Sequence, residues 1–283
     1  MKATRWSVLL LAVALFTIGP ATANPDVGNV WVVHGVPGLD VDVYVNYPDN
    51  AEPALPGFQF GQIVGPVELP PGDYTFDIYA AGADPSASDP VLSKSTSLMA
   101  GQYVSVVAQL LEDGTPTISL FGLDLRETAK KGSRLGLRHT AAAPAVDVVT
   151  ESSKYQYRGV FGTEAAAGRS SFNSGAGASS DIPAGAYSLF LNLAGTDLQV
   201  FPADGTIDLM FEEGKVYYYF AVGVFPDSFT LLELKLDPVE GAGNGDYDDD
   251  DSSDDDSSDD ASSDDDDSRE WQRPRYKREL YRR

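Results

Sequence analysis

The sequence predicts an all-β protein: two tandem immunoglobulin-like antiparallel β-sandwich domains followed by a disordered acidic C-terminal tail. Three observations carry this. The body from about Val27 to about Val239 alternates apolar and polar residues with period two and shows almost no helical period. Gly, Pro, Asn and Asp turns cut it at short intervals, and its two halves repeat. Val30-Trp31-Val32-Val33-His34 with Val41-Asp42-Val43 returns as Leu135-Gly136-Leu137-Arg138-His139 with Val146-Asp147-Val148, and the spacing from histidine to Asp-Val is unchanged. Leu69-Pro70-Pro71-Gly72-Asp73-Tyr74 returns as Ile182-Pro183-Ala184-Gly185-Ala186-Tyr187. A feature present in both copies is expected to serve the fold, whereas a feature of one copy is free to serve a task.

The elements follow in order. Residues 1–23 read as a secretory signal: Lys2 and Arg5 lead an apolar run from Val8 to Ile18, and Ala21-Thr22-Ala23 offers a cleavage site. That run is shorter than the ~20 residues a membrane-spanning helix needs. The first sandwich is expected over 27–128, with clear alternation at Val41–Asn46, Tyr74–Tyr79 and Tyr103–Val107. A short charged joint, Thr128–Ser133, leads to the second sandwich over 133–239, with strands at Tyr187–Leu191, Lys215–Phe220 and Phe229–Leu234. About seven strands per copy are expected, each with one polar face, and the joint is expected to leave the copies a semi-rigid pair. Gly168–Ser180 is small and polar and reads as a flexible loop. Residues 240–268 form an Asp/Ser-rich spacer, and 269–283 a basic tail with interleaved aromatics.

Composition narrows the chemistry. The chain has no cysteine, so disulfides, thiol nucleophiles and zinc–cysteine sites are excluded and each domain must hold by core burial. The net charge of −23 includes fourteen Asp between Asp246 and Asp267. Such an acidic body disfavours nucleic acid as a partner. The Asp blocks lack the alternating ligands and glycine of an ordered calcium loop, so no cofactor is expected beyond weak Ca2+ binding by the tail.

His34 and His139 are the only histidines. One imidazole per copy with scattered carboxylates, Asp42 or Asp147, is a poor transition-metal set, so each ring is expected to bond the turn that follows it. Gly72-x-Tyr74 and Gly185-x-Tyr187 resemble the tyrosine corner of Greek-key sandwiches. No Gly-x-Ser-x-Gly elbow occurs, and the glycines of 162–170 do not have phosphate-loop spacing. Tyr217-Tyr218-Tyr219-Phe220 presents aromatics on both strand faces. One face must be covered by the other domain, a partner or a sugar, and Trp31 at the matching edge of copy one is a companion. Trp31, Tyr217, Tyr218 and Tyr219 are therefore the candidate ligand or partner surface.

The two spaced motifs resemble the exported bacterial and archaeal domain-of-unknown-function family 4397, whose members open with a Val-rich strand, a histidine before proline, then Val-Asp-Val-Tyr. Copy two departs at Val149, where that pattern has tyrosine. The resemblance implies an exported β-sandwich, commonly in tandem, and carries no catalytic residues. The reading is an exported, periplasmic, cell-surface or extracellular non-enzymatic module that meets an envelope protein or glycan, with no transmembrane segment after signal cleavage. Its rivals are a carbohydrate-active hydrolase, which needs two carboxylates across a cleft beside the aromatic strand, and a calcium-dependent adhesin.

Overall fold

A computed structural model describes residues 26–152, 157–161 and 177–241. The signal segment, most of the Gly168–Ser180 loop, the acidic spacer and the basic tail lie outside the described residues.

Among the described residues all regular elements are strands. Copy one contributes β1 (Gly28–His34), β2 (Val41–Val45), β3 (Leu55–Phe58), β4 (Ile63–Leu69), β5 (Gly72–Ala80), β6 (Leu92–Leu98), β7 (Tyr103–Leu110) and β8 (Pro116–Gly122). Copy two contributes β9 (Gly132–His139), β10 (Val146–Ser152), β11 (Tyr157–Phe161), β12 (Gly177–Pro183), β13 (Gly185–Leu193), β14 (Gln199–Phe201), β15 (Ile207–Phe211), β16 (Val216–Val222) and β17 (Thr230–Leu236). Among the described residues the copies thus have eight and nine strands where about seven each were expected. Gly177–Ser180, expected in a loop, belongs to β12, because its backbone pairs with β9 from Gly177↔Arg138 to Pro183↔Gly132 whatever its small side chains.

Sheet orders match strand for strand. Copy one forms β4-β1-β7-β8 and β3-β2-β5-β6; copy two forms β12-β9-β16-β17 and β11-β10-β13-β14, with β15 also on β13. β6 and β15 correspond, since Gly72 faces Leu98 as Gly185 faces Phe211. Each copy also contains one parallel pair, β1 with β7 and β9 with β16, set among antiparallel neighbours.

The four sheets stack around three cores. One core joins β1, β7 and β8 to β2 and β5 through Val30, Val32, Val106, Val43, Phe76 and Ile78. Another joins β9 and β16 to β10 and β13 through Leu135, Leu137, Tyr217, Tyr219, Val148 and Leu189. The third lies between the copies: Trp31, Val33 and Val107 of copy one pack with Val216, Tyr218, Phe220 and Val222 of copy two. The two inner sheets are therefore covered on both faces, and β1 and β16 are buried at every residue. The expectation of one polar face per strand fails for them because the neighbouring copy removes that face from water.

The joint is correspondingly tied down. Arg134 donates through Nη1 to Asp124 (2.9 Å) and through Nε to Asp181 (2.9 Å), and the Ala129 amide bonds the other Asp181 oxygen at 2.8 Å. Gly223 N–H donates to Gly35 O across the copies at 3.1 Å, and Val239 N–H to Leu125 O at 2.7 Å. Burial opposes charge on Asp124, yet the Arg126 and Arg134 guanidinium groups hold its carboxyl below its ordinary range. The described residues form one compact unit containing both copies. A shared apolar core, not a flexible hinge, fixes their relation.

Candidate functional site

The repeated residues occupy equivalent structural positions. His34 closes β1, is 2% exposed, and accepts the Val36 amide on Nδ1 (3.3 Å), which leaves Nε2–H to donate to Leu39 O at 3.0 Å. His139 closes β9 and places Nε2 3.2 Å from Pro144 O, again five residues ahead. Burial depresses both imidazoles, His139 to about 4, so both are neutral near pH 7. The two rings lie in the separate sandwiches, each braced against its own turn.

Asp42 uses Oδ1 to accept Gly57 N–H and Oδ2 to accept Gly82 N–H, both at 2.7 Å, and so pins two loops to β2. Asp147 accepts Gly195 N–H at 2.9 Å in the equivalent way. Tyr74 Oη donates to Pro70 O (2.7 Å) and Tyr187 Oη to Pro183 O (2.8 Å), the tyrosine-corner bond in both copies. Gly72 and Gly185 hold φ of 158° and 151°, a conformation that glycine alone adopts cheaply, which explains the glycine two residues before each tyrosine. Among the described residues no three His, Asp or Glu side chains converge to hold a metal.

The aromatic strand is placed differently from a ligand surface. Tyr217, Tyr218, Tyr219 and Trp31 are 2%, 0%, 5% and 2% exposed. Tyr217 and Tyr219 face the core of copy two, where Phe211 packs edge-on to Tyr217 at 5.1 Å. Tyr218 and Trp31 face the core between the copies. Tyr218 Oη accepts the Asp124 amide at 2.6 Å, and the Arg138 guanidinium lies 5.2 Å from its ring and 5.3 Å from that of Phe121. Tyr219 Oη donates to Glu233 at 2.5 Å, and burial followed by that carboxylate pushes its phenol upward. The covering of these aromatics is thus supplied by the protein itself. Every residue of β16 is buried, so the strand presents none of its aromatics as an open surface.

The outward face of copy one carries a feature that copy two lacks among the described residues. Tyr44 on β2, Tyr47 in the turn after it and Tyr79 on β5 pack edge-to-face, with centroids 5.7 Å (Tyr44–Tyr47), 5.4 Å (Tyr44–Tyr79) and 6.3 Å (Tyr47–Tyr79) apart. The strand register explains the meeting: Asp42 faces Tyr79 and Tyr44 faces Asp77, so the two tyrosines are diagonal neighbours on one face. Tyr44 and Tyr79 are 5% and 4% exposed. Their hydroxyls form no hydrogen bond among the described residues, and they are not among the fully enclosed polar atoms without partners, so the phenolic tips reach solvent. Burial, then the charges of Asp42 and Glu52, raise Tyr44; burial, then Asp77, raise Tyr79. Both stay protonated well into alkaline pH. At the equivalent register copy two has Val149 for Tyr44 and Asn192 for Tyr79. Sequence reasoning passed over this cluster. The available signal was Tyr44 on the polar side of an alternating strand, with valine at the matching position of copy two.

Residues 28–149 match the family described as a domain of unknown function (DUF4397). The DUF4397 match begins with β1, takes in all of copy one and ends within β10 at Val149. It covers a single copy and runs into the next, and tandem DUF4397 copies stay a reading from the repeat. No curated protein matches the chain. Among solved structures, the Bacillus anthracis TIE protein is 12% identical over 70% of this chain and 34% of its own, with a TM-score of 0.22. A protein of Bacteroides ovatus ATCC 8483 provisionally assigned to cell adhesion is 12% identical over 75% of this chain and 98% of its own, TM-score 0.21. A leucine-rich repeat protein of Bacteroides thetaiotaomicron VPI-5482 is 10% identical over 70% and 26%, TM-score 0.18. The chain spans about a third of the TIE protein, and at these TM-scores none of the three carries an argument about this chain.

Proposed function

We propose that this protein is an exported, non-enzymatic interaction module that meets an envelope partner through the outer face of its first sandwich. The observation that carries the reading is the Tyr44–Tyr47–Tyr79 cluster on the outer face of copy one, which has no counterpart at the equivalent register of copy two among the described residues. The features common to both copies are spent on turns and corners: His34 and His139, Asp42 and Asp147, Tyr74 and Tyr187. The inner sheets are consumed in joining the copies. What remains for recognition is the outer face of copy one, where the buried rings of Tyr44 and Tyr79 bring only their hydroxyl tips to the surface beside half-buried Tyr47. The secretory signal read in residues 1–23 supports export.

Site-specific photo-cross-linking tests this. A cross-linker replacing exposed Ser95, on the outer sheet of copy one, is expected to capture a discrete partner in the producing cell's envelope. The same cross-linker at Met210, on the outer sheet of copy two and 63% exposed, is expected not to capture it. Capture from Met210 alone, or from neither position, overturns the reading.

A further inference from the structure

Residues 26–125 hold thirteen Asp or Glu and one lysine, Lys94. Asp42 faces Tyr79 and Asp77 faces Tyr44 across the β2–β5 pair, and the charges of Glu52 and Asp84 act on Tyr44 and that of Asp89 on Tyr79. Asp84 is fixed in place by the Ser86 amide (2.9 Å) and hydroxyl (2.7 Å). Two side chains more than nine-tenths buried, Tyr44 and Tyr79, thus point unbonded hydroxyls among carboxylates. The rings themselves are buried, so they offer no open face on which a sugar could stack. What a ligand meets is a set of oxygens, almost all acceptors, under a negative potential. The chemistry that matches is rich in donors and positive, and the guanidinium of arginine, with five donors and no acceptor, fits best.

The acceptor set is elongated. Along β5 and β6 the outer face continues as Asp73, Thr75 and Asp77 opposite Ser97, Ser95 and Ser93, bonded in pairs at 2.5, 2.9 and 2.5 Å. A strand-long strip of this kind suits a polypeptide segment bearing several cations better than one small amine.

We infer that the outer face of the first sandwich, centred on Tyr44, Tyr47 and Tyr79 and rimmed by Glu52, Asp84 and Asp89, binds an arginine- or lysine-rich segment of a partner protein. This rests on the reading that this face is the recognition surface and adds the chemistry of what it recognises.

The test uses the full chain and a fluorescent octa-arginine peptide as probe, with octa-glutamate as control. The variant Tyr44→Phe/Glu52→Gln/Tyr79→Phe/Asp89→Asn removes the hydroxyls and two rim charges and is expected to weaken peptide binding about tenfold in anisotropy. Asp204→Asn/Asp227→Asn, which removes two carboxylates of copy two, is expected to leave it unchanged. Hydrogen exchange on the unmodified protein gives a second measurement independent of variant folding. Added peptide is expected to protect 44–53 and 79–91. Equal weakening by the two variants, or no peptide-dependent protection of those segments, overturns the proposal. Calcium protecting the same segments and displacing the peptide overturns it in favour of a metal site. A partner captured from Ser95 that has no basic segment and does not compete with the peptide leaves the interaction reading standing and overturns only this inference.

Discussion

Gly136 on β9 faces Tyr218 on β16, and a Cβ at 136 would lie 2.2 Å from Tyr218 Cε1. The equivalent pair in copy one is Trp31 beside Ser105. Each parallel pair thus sets one large ring beside one small residue, but the large residue is on the first strand in copy one and on the later strand in copy two. The rings of Trp31 and Tyr218 both enter the core between the copies. Side chains of unlike size interdigitate at native density, whereas two large residues at one register position collide.

Gly136→Ala is therefore expected to destabilise the protein by about 1–3 kcal/mol, the usual cost of overpacking. The Tyr218 ring, itself fully buried, leaves no room for a methyl group. Urea unfolding followed by circular dichroism measures it, and an unchanged midpoint contradicts the close approach.

Trp31→Ala is expected to cost about 3–5 kcal/mol, as for other large aromatic truncations in a core. Because Trp31 packs with Val216, Tyr218 and Phe220, the loss should reach copy two. Hydrogen exchange should find amides of β9 and β16 losing protection together with those of β1 and β7. Loss confined to copy one would mean that the sandwiches open independently.

Tyr187→Phe is expected to cost about 1 kcal/mol by removing the 2.8 Å bond to Pro183 O. Tyr74→Phe should cost no more, since Tyr74 is half-buried while Tyr187 is 3% exposed. Thermal denaturation of the two variants side by side checks the order.

Acid should weaken the protein partly through His139. Its folded-state value, about 4, lies below the ordinary 6.5, so the unfolded chain takes up the proton first as pH falls. The stabilisation is complete above pH 6.5 and is lost progressively between 6.5 and 4, by about 3 kcal/mol in total. His34, also depressed by burial, acts in the same direction. His139→Gln should flatten the stability–pH profile over that window relative to the unmodified protein. An equal slope in both would assign the acid sensitivity to carboxylates.

Much of this was legible in the chain because it rests on local geometry. A histidine at a strand end reaches a carbonyl five residues on, and a tyrosine two residues past a glycine reaches back to a carbonyl four residues earlier. Such bonds fall within one turn and leave the same spacing wherever the unit is copied. The tyrosine cluster was not legible in this way, because Tyr44 and Tyr79 become neighbours only through the pairing of β2 with β5. Nor was β12, whose Ala178-Ser179-Ser180 pairs by backbone alone and shows no apolar alternation.

The sequence by itself determined that the protein is all-β, that one unit is built twice, and how each unit turns its corners, since alternation and short-range bonds depend on residues close along the chain. Only the tertiary structure decided which faces are wet. Stacking the inner sheets withdraws Trp31 and Tyr218 from solvent, the core of copy two takes Tyr217 and Tyr219, and Tyr44, Tyr47 and Tyr79 gather on the outer face of copy one. Period two divides a strand into two faces, but whether both are buried depends on apolar surface contributed by a sheet far away in sequence.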